Sequence, residues 1–367
     1  MAPRWLHRMQ YNRKTLLFTV VYALLSVYAM AHFISSSYLG DRYIATSFDT
    51  MMQGKAARPF AYRVLMPTLT HTITDATPKS WQTAVNTRVR QWMTSERTVE
   101  IRQALPWLVE TYDVRAPYAR IVCTLLIYCA LVGYAFMLYR LAQSVDPANE
   151  ALRWFAPIFG LLAISAFSMP WQYIYDIPVL FLSAACFYLL HQQRMKAYLV
   201  CFALACLNRE TSIFLLMFFM LWSHNRMPRT SFIAFAAVQM VVWLFIKIAV
   251  TQIYAGNPGQ FLEFNLLRVL RLDIFERADH MRVVLVCMMF FLLTYRWNEK
   301  PVFLRTGLWV LAAMYVAYIF YGNGGEYRVF FDIMPLMVCL ATHTLTGLAG
   351  FNRLAFFASD TEKPNVS

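Results

Sequence analysis

The chain has 367 residues, 59% of them hydrophobic and only 14% charged, with a formal net charge of +13. A soluble domain of this length needs a more charged surface, and a nucleic-acid binder gathers its basic residues into one patch. Here the apolar residues collect into blocks of bilayer-spanning length, and the basic residues stand between the blocks.

The first block, Leu16–Ser36, follows Arg4, Arg8, Arg13 and Lys14. A basic stretch, an apolar core and Ala29-Met30-Ala31 loosely fit a signal peptide, but the apolar run continues past that point. An uncleaved first helix is therefore expected, with the amino terminus in the cytoplasm. Residues 37–117 then form the one large polar segment, a non-cytoplasmic first loop. Its stretch Trp81–Leu108 spreads Trp, Val, Met and Leu among Arg, Glu and Gln, which predicts amphipathic helices lying on the membrane surface.

Eight further blocks follow: Tyr118–Ala142, Leu152–Trp171, Pro178–His191, Tyr198–Trp222, Ser231–Tyr254, Met281–Tyr295, Thr306–Tyr321 and Val329–Leu348. The expected fold is an all-α polytopic transmembrane helix bundle of about nine to ten membrane segments, with residues 1–367 as a single transmembrane domain. Block Tyr198–Trp222 carries Asn208-Arg209-Glu210-Thr211 near its centre. Read as one helix, it puts the basic loop Arg296–Arg305 outside. Read as a broken hairpin of two half-helices, it keeps both that loop and His224–Arg229 inside, as the positive-inside rule prefers. The hairpin is the preferred reading.

Ionisable residues at membrane depth are costly and point to function by default. Arg209 and Glu210 are the clearest case, and as neighbours on a helix they must find partners elsewhere. A guanidinium suits phosphate oxygens, while the competing reading is an ion-pair network that ties helices together. In Ala57-Arg58-Pro59-Phe60-Ala61-Tyr62-Arg63, two arginines flank an aromatic pair at the interface. Arg58 and Arg63 are expected to meet anionic headgroups or a pyrophosphate, with Tyr62 beside them. Asp41 and Asp49 lie upstream, where a carboxylate can take a proton from a sugar hydroxyl; Asp49 is preferred as the nearer to Arg58.

Between two spans, Trp171, Tyr173 and Tyr175 offer faces for sugar stacking, and Asp176 offers hydrogen bonds to hydroxyls. An ordinary aromatic belt explains the rings but not Asp176. Near the end, Gly322-Asn323-Gly324-Gly325 precedes Glu326 and Arg328, which either join the other candidates or, on the slightly preferred reading, leave Arg328 to pair with Asp332 at i,i+4. Segment Gly256–His280, with Asn265, Arg268 and Arg271, reads as an interfacial helix and a place for a lipid carrier. All seven cysteines lie in apolar blocks, and no metal-ligand spacing is visible.

Asp49 with the Arg-Pro-Phe-Ala-Tyr-Arg segment, Tyr175-Asp176-Ile177-Pro178 and Leu207-Asn208-Arg209-Glu210-Thr211-Ser212 together resemble the GT-C class of membrane glycosyltransferases and their bacterial relatives. The likeness spans roughly residues 40–330 through short motifs. It implies transfer of a sugar from a polyprenyl-phosphate donor to an envelope glycan, lipid or protein acceptor outside the cytoplasm of a bacterial inner membrane. It also implies Asp49, or else Asp41, as base. Arg58, Arg63, Arg209 and Arg328 would be donor-phosphate ligands. Tyr62, Trp171, Tyr175, Asp176, Asn208, Glu210, Asn265 and Glu326 would contact substrate. The paired acidic motif of many members is absent, since Asp41 and Asp49 are separated. No cofactor is implied, no nucleic acid is expected as a partner, and a divalent-metal requirement is not legible. Two other functions fit the same composition: a transporter or flippase of lipid-linked glycan, and a scaffold subunit of an envelope-assembly complex.

Overall fold

Apolar stretches with few breakers fold as helices, because in lipid only internal hydrogen bonds satisfy the backbone. The computed structural model describes residues 4–37, 39, 41, 43–95, 100, 103–107, 111, 117–166, 172–259, 264–271, 280–322 and 326–351. It is all-helical, with no strand among the described residues.

The chain opens with α1 (Arg4–Ser37) and then α2 (Phe48–Met52), α3 (Leu65–Ala76) and α4 (Lys79–Thr94). The central helices follow as α5 (Pro117–Val145), α6 (Glu150–Ala166), α7 (Asp176–His191), α8 (Met195–Asn208) and α9 (Ile213–Ser223). The remainder is α10 (Arg229–Ile253), the short α11 (Leu266–Val269), α12 (His280–Thr294), α13 (Val302–Tyr321) and α14 (Met334–Leu348). Among the described residues, four stretches are long and apolar enough to cross a membrane: Arg13–Ser37, Pro117–Val145, Arg229–Ile253 and Val302–Tyr321. Length and composition thus mark a membrane protein, with shorter apolar helices packed among the long ones.

Helix α5 is the centre of the packing, lying against α6, α7 and α1. Its Gly133 admits Phe181 of α7, since a methyl there would fall 2.8 Å from the ring. Close approach through a small residue is how apolar helices gain contact where the hydrophobic effect contributes little.

Between α8 and α9 the chain doubles back. Arg209 is extended (φ −161°, ψ 141°), and Glu210–Ser212 form a single 3₁₀ turn. The Tyr198 hydroxyl donates to the Leu215 carbonyl at 3.4 Å, and the Tyr198 and Phe219 rings lie 6.1 Å apart. Along one continuous helix, residues 198 and 215 would stand about 25 Å apart.

With that reversal the bundle has two chemically distinct ends. One gathers the ends of α7, α9 and α13, where His191 stacks on Trp222 and both rings meet Phe303 edge to face. Lys14 pairs with Glu150 there, and Lys300 donates to the carbonyls of Leu292 and Leu340 and to Thr344. Burial pushes the Lys300 ammonium down to about 8.

At the other end, the Asn257 amide donates to the carbonyls of Gly54 and Ala56, both at 2.8 Å. Gly259 approaches so closely that a Cβ would meet the Arg58 carbonyl oxygen at 2.7 Å, and its φ is +93°. Gly259→Ala is expected to cost about 1–3 kcal/mol through strain at that φ. Thermal unfolding in detergent checks it; an unchanged midpoint would mean that this loop contributes nothing to stability.

Several expected boundaries shift. The last block does not start as a helix at Val329: Tyr327–Asp332 is a 3₁₀ segment, and α14 begins at Met334. The amphipathic stretch starts at Lys79, and its helix runs to Thr94. Of the expected interfacial helix Gly256–His280, the described part is a turn to Gly259 and the four-residue α11. Trp171 and Asn323-Gly324-Gly325 lie outside the described residues.

Candidate functional site

The reversal at Arg209 carries two charged side chains into the bundle, and both find partners from distant segments. Arg63, beyond the 3₁₀ turn Phe60–Tyr62, grips Glu210 with both arms, Nη2 to Oε1 at 2.8 Å and Nε to Oε2 at 3.3 Å. This is the fork geometry that distinguishes arginine from lysine. Its remaining Nη1 donates to the Tyr175 hydroxyl, and its guanidinium lies 4.2 Å from the centre of that ring.

Arg328 meets the same tyrosine from the other side. Its Nη1 donates to the Tyr175 hydroxyl at 2.8 Å and to both Asp176 oxygens at 3.3 Å, while Nη2 donates to Glu326. Arg209 donates to the Arg328 carbonyl at 2.9 Å and stands 3.7 Å from Asp176. Asp176 is fully buried and also accepts the Tyr173 backbone N–H at 2.8 Å, which fixes the start of α7. The Asn208 amide donates to the Tyr175 carbonyl, and the Trp243 indole donates to the Glu210 carbonyl. The Glu210 carbonyl beside the break is thereby satisfied.

Three buried guanidiniums thus face the carboxylates of Asp176, Glu210 and Glu326. Burial alone would raise the Glu326 carboxyl, but Arg328, Arg209 and Arg63 outweigh it and hold Glu326 below the usual carboxylate range. Burial pushes the Tyr175 phenol up despite those arginines, so it stays a neutral hydroxyl for two guanidiniums. Nε of Arg209, Nε of Arg328 and Oδ1 of Asn208 are buried without a hydrogen-bond partner.

A second cluster adjoins the first. Arg120, fully enclosed near the start of α5, pairs with Asp41 and, at 3.2 Å, with Asp49. Its guanidinium lies 4.7 Å from the Phe48 ring centre, and the Phe48 N–H donates to Asp41 at 3.0 Å. Asp49 is 62% exposed and Asp41 25%. The two aspartates, eight residues apart, therefore form a pair in space. Thr46, three residues before Asp49, lies beside the Tyr173 phenol, and that ring sits 4.6 Å from the Arg328 guanidinium.

The network therefore unites Arg63, Arg209, Arg328, Tyr175, Asp176, Asn208, Glu210 and Glu326. Two expectations need correction. Arg328 does not pair with Asp332, because the 3₁₀ segment points them apart; Asp332 instead accepts the Thr211 hydroxyl at 2.6 Å. Arg63 does not face headgroups, since its guanidinium is buried on Glu210 and Tyr175. The Asp49 carboxylate pairs with Arg120, and the Arg58 backbone N–H donates to the Pro258 carbonyl. Tyr62 is buried beneath Lys247, and the Asn265 N–H donates to the Phe320 carbonyl at the rim.

Arg120, Trp243 and Lys247 are the participants that sequence reasoning missed. Two had a signal. Arg120 lies two residues into an apolar block, and Lys247 is the sole charged residue in Ser231–Tyr254. The cost of a charge at membrane depth, which marked Arg209, applies equally to them. Among the described residues no group of three or more His, Cys, Asp or Glu is placed to hold a metal.

Fold and site together define a helical membrane protein with a buried arginine–carboxylate network beside a partly exposed aspartate pair at one end. Compared with known protein families, curated proteins and solved structures, the chain shows no significant match.

Proposed function

We propose that this chain is a GT-C-like membrane glycosyltransferase that moves a sugar from a polyprenyl-phosphate donor to an envelope glycan, lipid or protein acceptor. The observation that carries the reading is the meeting of Asp41 and Asp49 on Arg120, next to a cluster of buried arginines. In this reaction Asp49 takes the proton of the acceptor hydroxyl as its oxygen bonds to the anomeric carbon. The bond from that carbon to the donor phosphate breaks, and polyprenyl phosphate leaves with the electron pair. Arg120 holds the aspartate pair, while Arg58, Arg63, Arg209 and Arg328 bias this end of the bundle toward an anion. The unpartnered Nε atoms of Arg209 and Arg328 are donors still available to a polar guest.

On the same reading α8 and α9 are a half-helix hairpin, and the site faces the outside of a bacterial inner membrane. Support comes from the basic residues: Lys14, Arg194, Arg226, Arg296, Lys300 and Arg305 fall at the opposite end, the cytoplasmic one under the positive-inside rule. A cysteine at Lys55 is expected to react with an impermeant maleimide in intact cells, and one at Arg226 to stay shielded. The reverse pattern would turn the molecule over and remove the site from the outer face.

The test of function is reconstitution with a polyprenyl-phosphate sugar pool and native lipid extract, followed by mass spectrometry of the products. Sugar appearing on an acceptor supports the reading. One observation favours a second one: every buried guanidinium already has a protein acceptor, as in a scaffold whose network only locks helices. Absence of transfer across the full donor pool would favour that scaffold.

A further inference from the structure

Helix α4 is fastened to the bundle by polar side chains on one face. The Gln82 amide donates to the carbonyls of Thr74 and Thr77 at 2.7 and 2.8 Å, which holds the end of α3. The Asn86 side-chain oxygen accepts the Tyr118 backbone N–H at 2.9 Å, one of the donors that the first turn of α5 leaves unpaired. The Thr77 and Tyr118 hydroxyls, 2.9 Å apart, close the joint. Gln82, Asn86 and the buried Met93 are spaced by four and seven residues, so they form one line along the inward side.

Trp81, Arg88 and Trp92 form a second line, spaced by seven and four residues, and all three are exposed, Trp81 by 71%. Indoles and guanidiniums in alternation suit the boundary between acyl chains and headgroups, where a ring and a cation both find their place. On α3, Leu69 and Ile73, one turn apart, are exposed as well. The height of α4 fits that boundary. Helix α5 has 29 residues and extends about 44 Å, beyond a hydrocarbon core of about 30 Å. Its first turn, where Tyr118 holds Asn86, therefore stands among headgroups. Charge points the same way: α4 carries Lys79, Arg88 and Arg90 without a carboxylate, and on α3 only Asp75 opposes them. Arg88 makes no ion pair with any described residue. Topology does not ask for these cations, since they stand at the end opposite Lys14, Arg194 and Arg226.

We propose that the outward line of α4 rests on the adjoining leaflet and binds acidic phospholipid there, Arg88 meeting a lipid phosphate and Trp81 seated at the glycerol level. The joint at Tyr118 favours lipid over a protein partner, because it holds this face at the level of the headgroups. The inference is independent of the glycosyltransferase reading. Arg120 lies two residues past Tyr118 and holds Asp41 and Asp49, so the same contact sets the aspartate pair at headgroup height.

The contact is read by fluorine NMR of the full chain in nanodiscs, labelled with 5-fluorotryptophan, where Trp81→Phe identifies the Trp81 signal. A lipid with a nitroxide near the glycerol end of one acyl chain is expected to broaden that signal, and a soluble gadolinium chelate to leave it sharp. Carried by phosphatidylglycerol, the nitroxide is expected to broaden it about fivefold more than when carried by phosphatidylcholine at equal mole fraction, the enrichment one interfacial cation gives. Arg88→Gln is expected to remove that difference and Arg88→Lys to retain it, with thermal unfolding unchanged in both. Broadening by the chelate and not by the lipid nitroxide would overturn the proposal by placing α4 in water. Protection from both reagents would overturn it by showing that protein covers this face. Equal broadening by the two lipids in the wild type would overturn the acidic-lipid contact, and a preference that survives Arg88→Gln would remove Arg88 from it.

Discussion

Asp49→Asn is expected to slow sugar transfer by about 10²–10⁴-fold, the contribution of a general base, while leaving the unfolding temperature near wild type. The amide keeps an oxygen for the Arg120 guanidinium, which stands 3.2 Å from the carboxylate. It no longer takes a proton at neutral pH. Because 62% of the side chain is exposed, the substitution strands little that is buried. Asp41 is a poorer candidate for the base on the same grounds, since its oxygens serve the Phe48 N–H and Arg120. The measurement is initial rate in reconstituted membranes with wild type alongside. A rate within about twofold of wild type would exclude Asp49 as the base and shift attention to Asp41 or Asp176.

Asp176→Ala is expected to destabilise the protein by about 3–5 kcal/mol, the usual cost of removing one partner from a buried ion pair. Asp176 is wholly enclosed and accepts from Arg328 through both oxygens, from the Tyr173 N–H, and electrostatically from Arg209. Alanine leaves two guanidiniums facing each other across an apolar gap, and the start of α7 loses its anchor. Asp176→Asn keeps the shape and an acceptor, so it should lose less. Thermal unfolding in nanodiscs reads both variants. A loss below about 1 kcal/mol for alanine would mean that Arg328 relies on Glu326 alone and that Asp176 is not a keystone of the network.

The bundle was readable from sequence because apolar blocks and basic loops are local features. The site was readable only where a single residue broke a local rule. Arg209 and Glu210 stood out by their cost inside an apolar block, and Asp176 stood out among belt aromatics. Their partners were not readable: Arg63 and Glu210 are 147 positions apart, and Arg328 and Asp176 are 152 apart. Asp41 and Asp49 looked like unrelated loop residues because the guanidinium that joins them belongs to α5, 79 positions beyond Asp41. The Arg328–Asp332 pairing failed for a local reason: i,i+4 geometry holds for an α-helix, and this segment is a 3₁₀ turn.

The doubling back of the chain at Arg209 also bears on how the protein is made. Helices α8 and α9, of 14 and 11 residues, extend about 21 Å and 16 Å, short of a hydrocarbon core near 30 Å. Neither is a self-sufficient insertion signal, and the turn between them carries two charges. Asp176 and Arg63 are synthesised before that turn and stand ready to receive it, whereas Arg328 emerges more than a hundred residues later. Until then Asp176 must hold Arg209 without its principal partner. In order of synthesis, the 3₁₀ segment that carries Arg328 is therefore the last piece of the network to arrive.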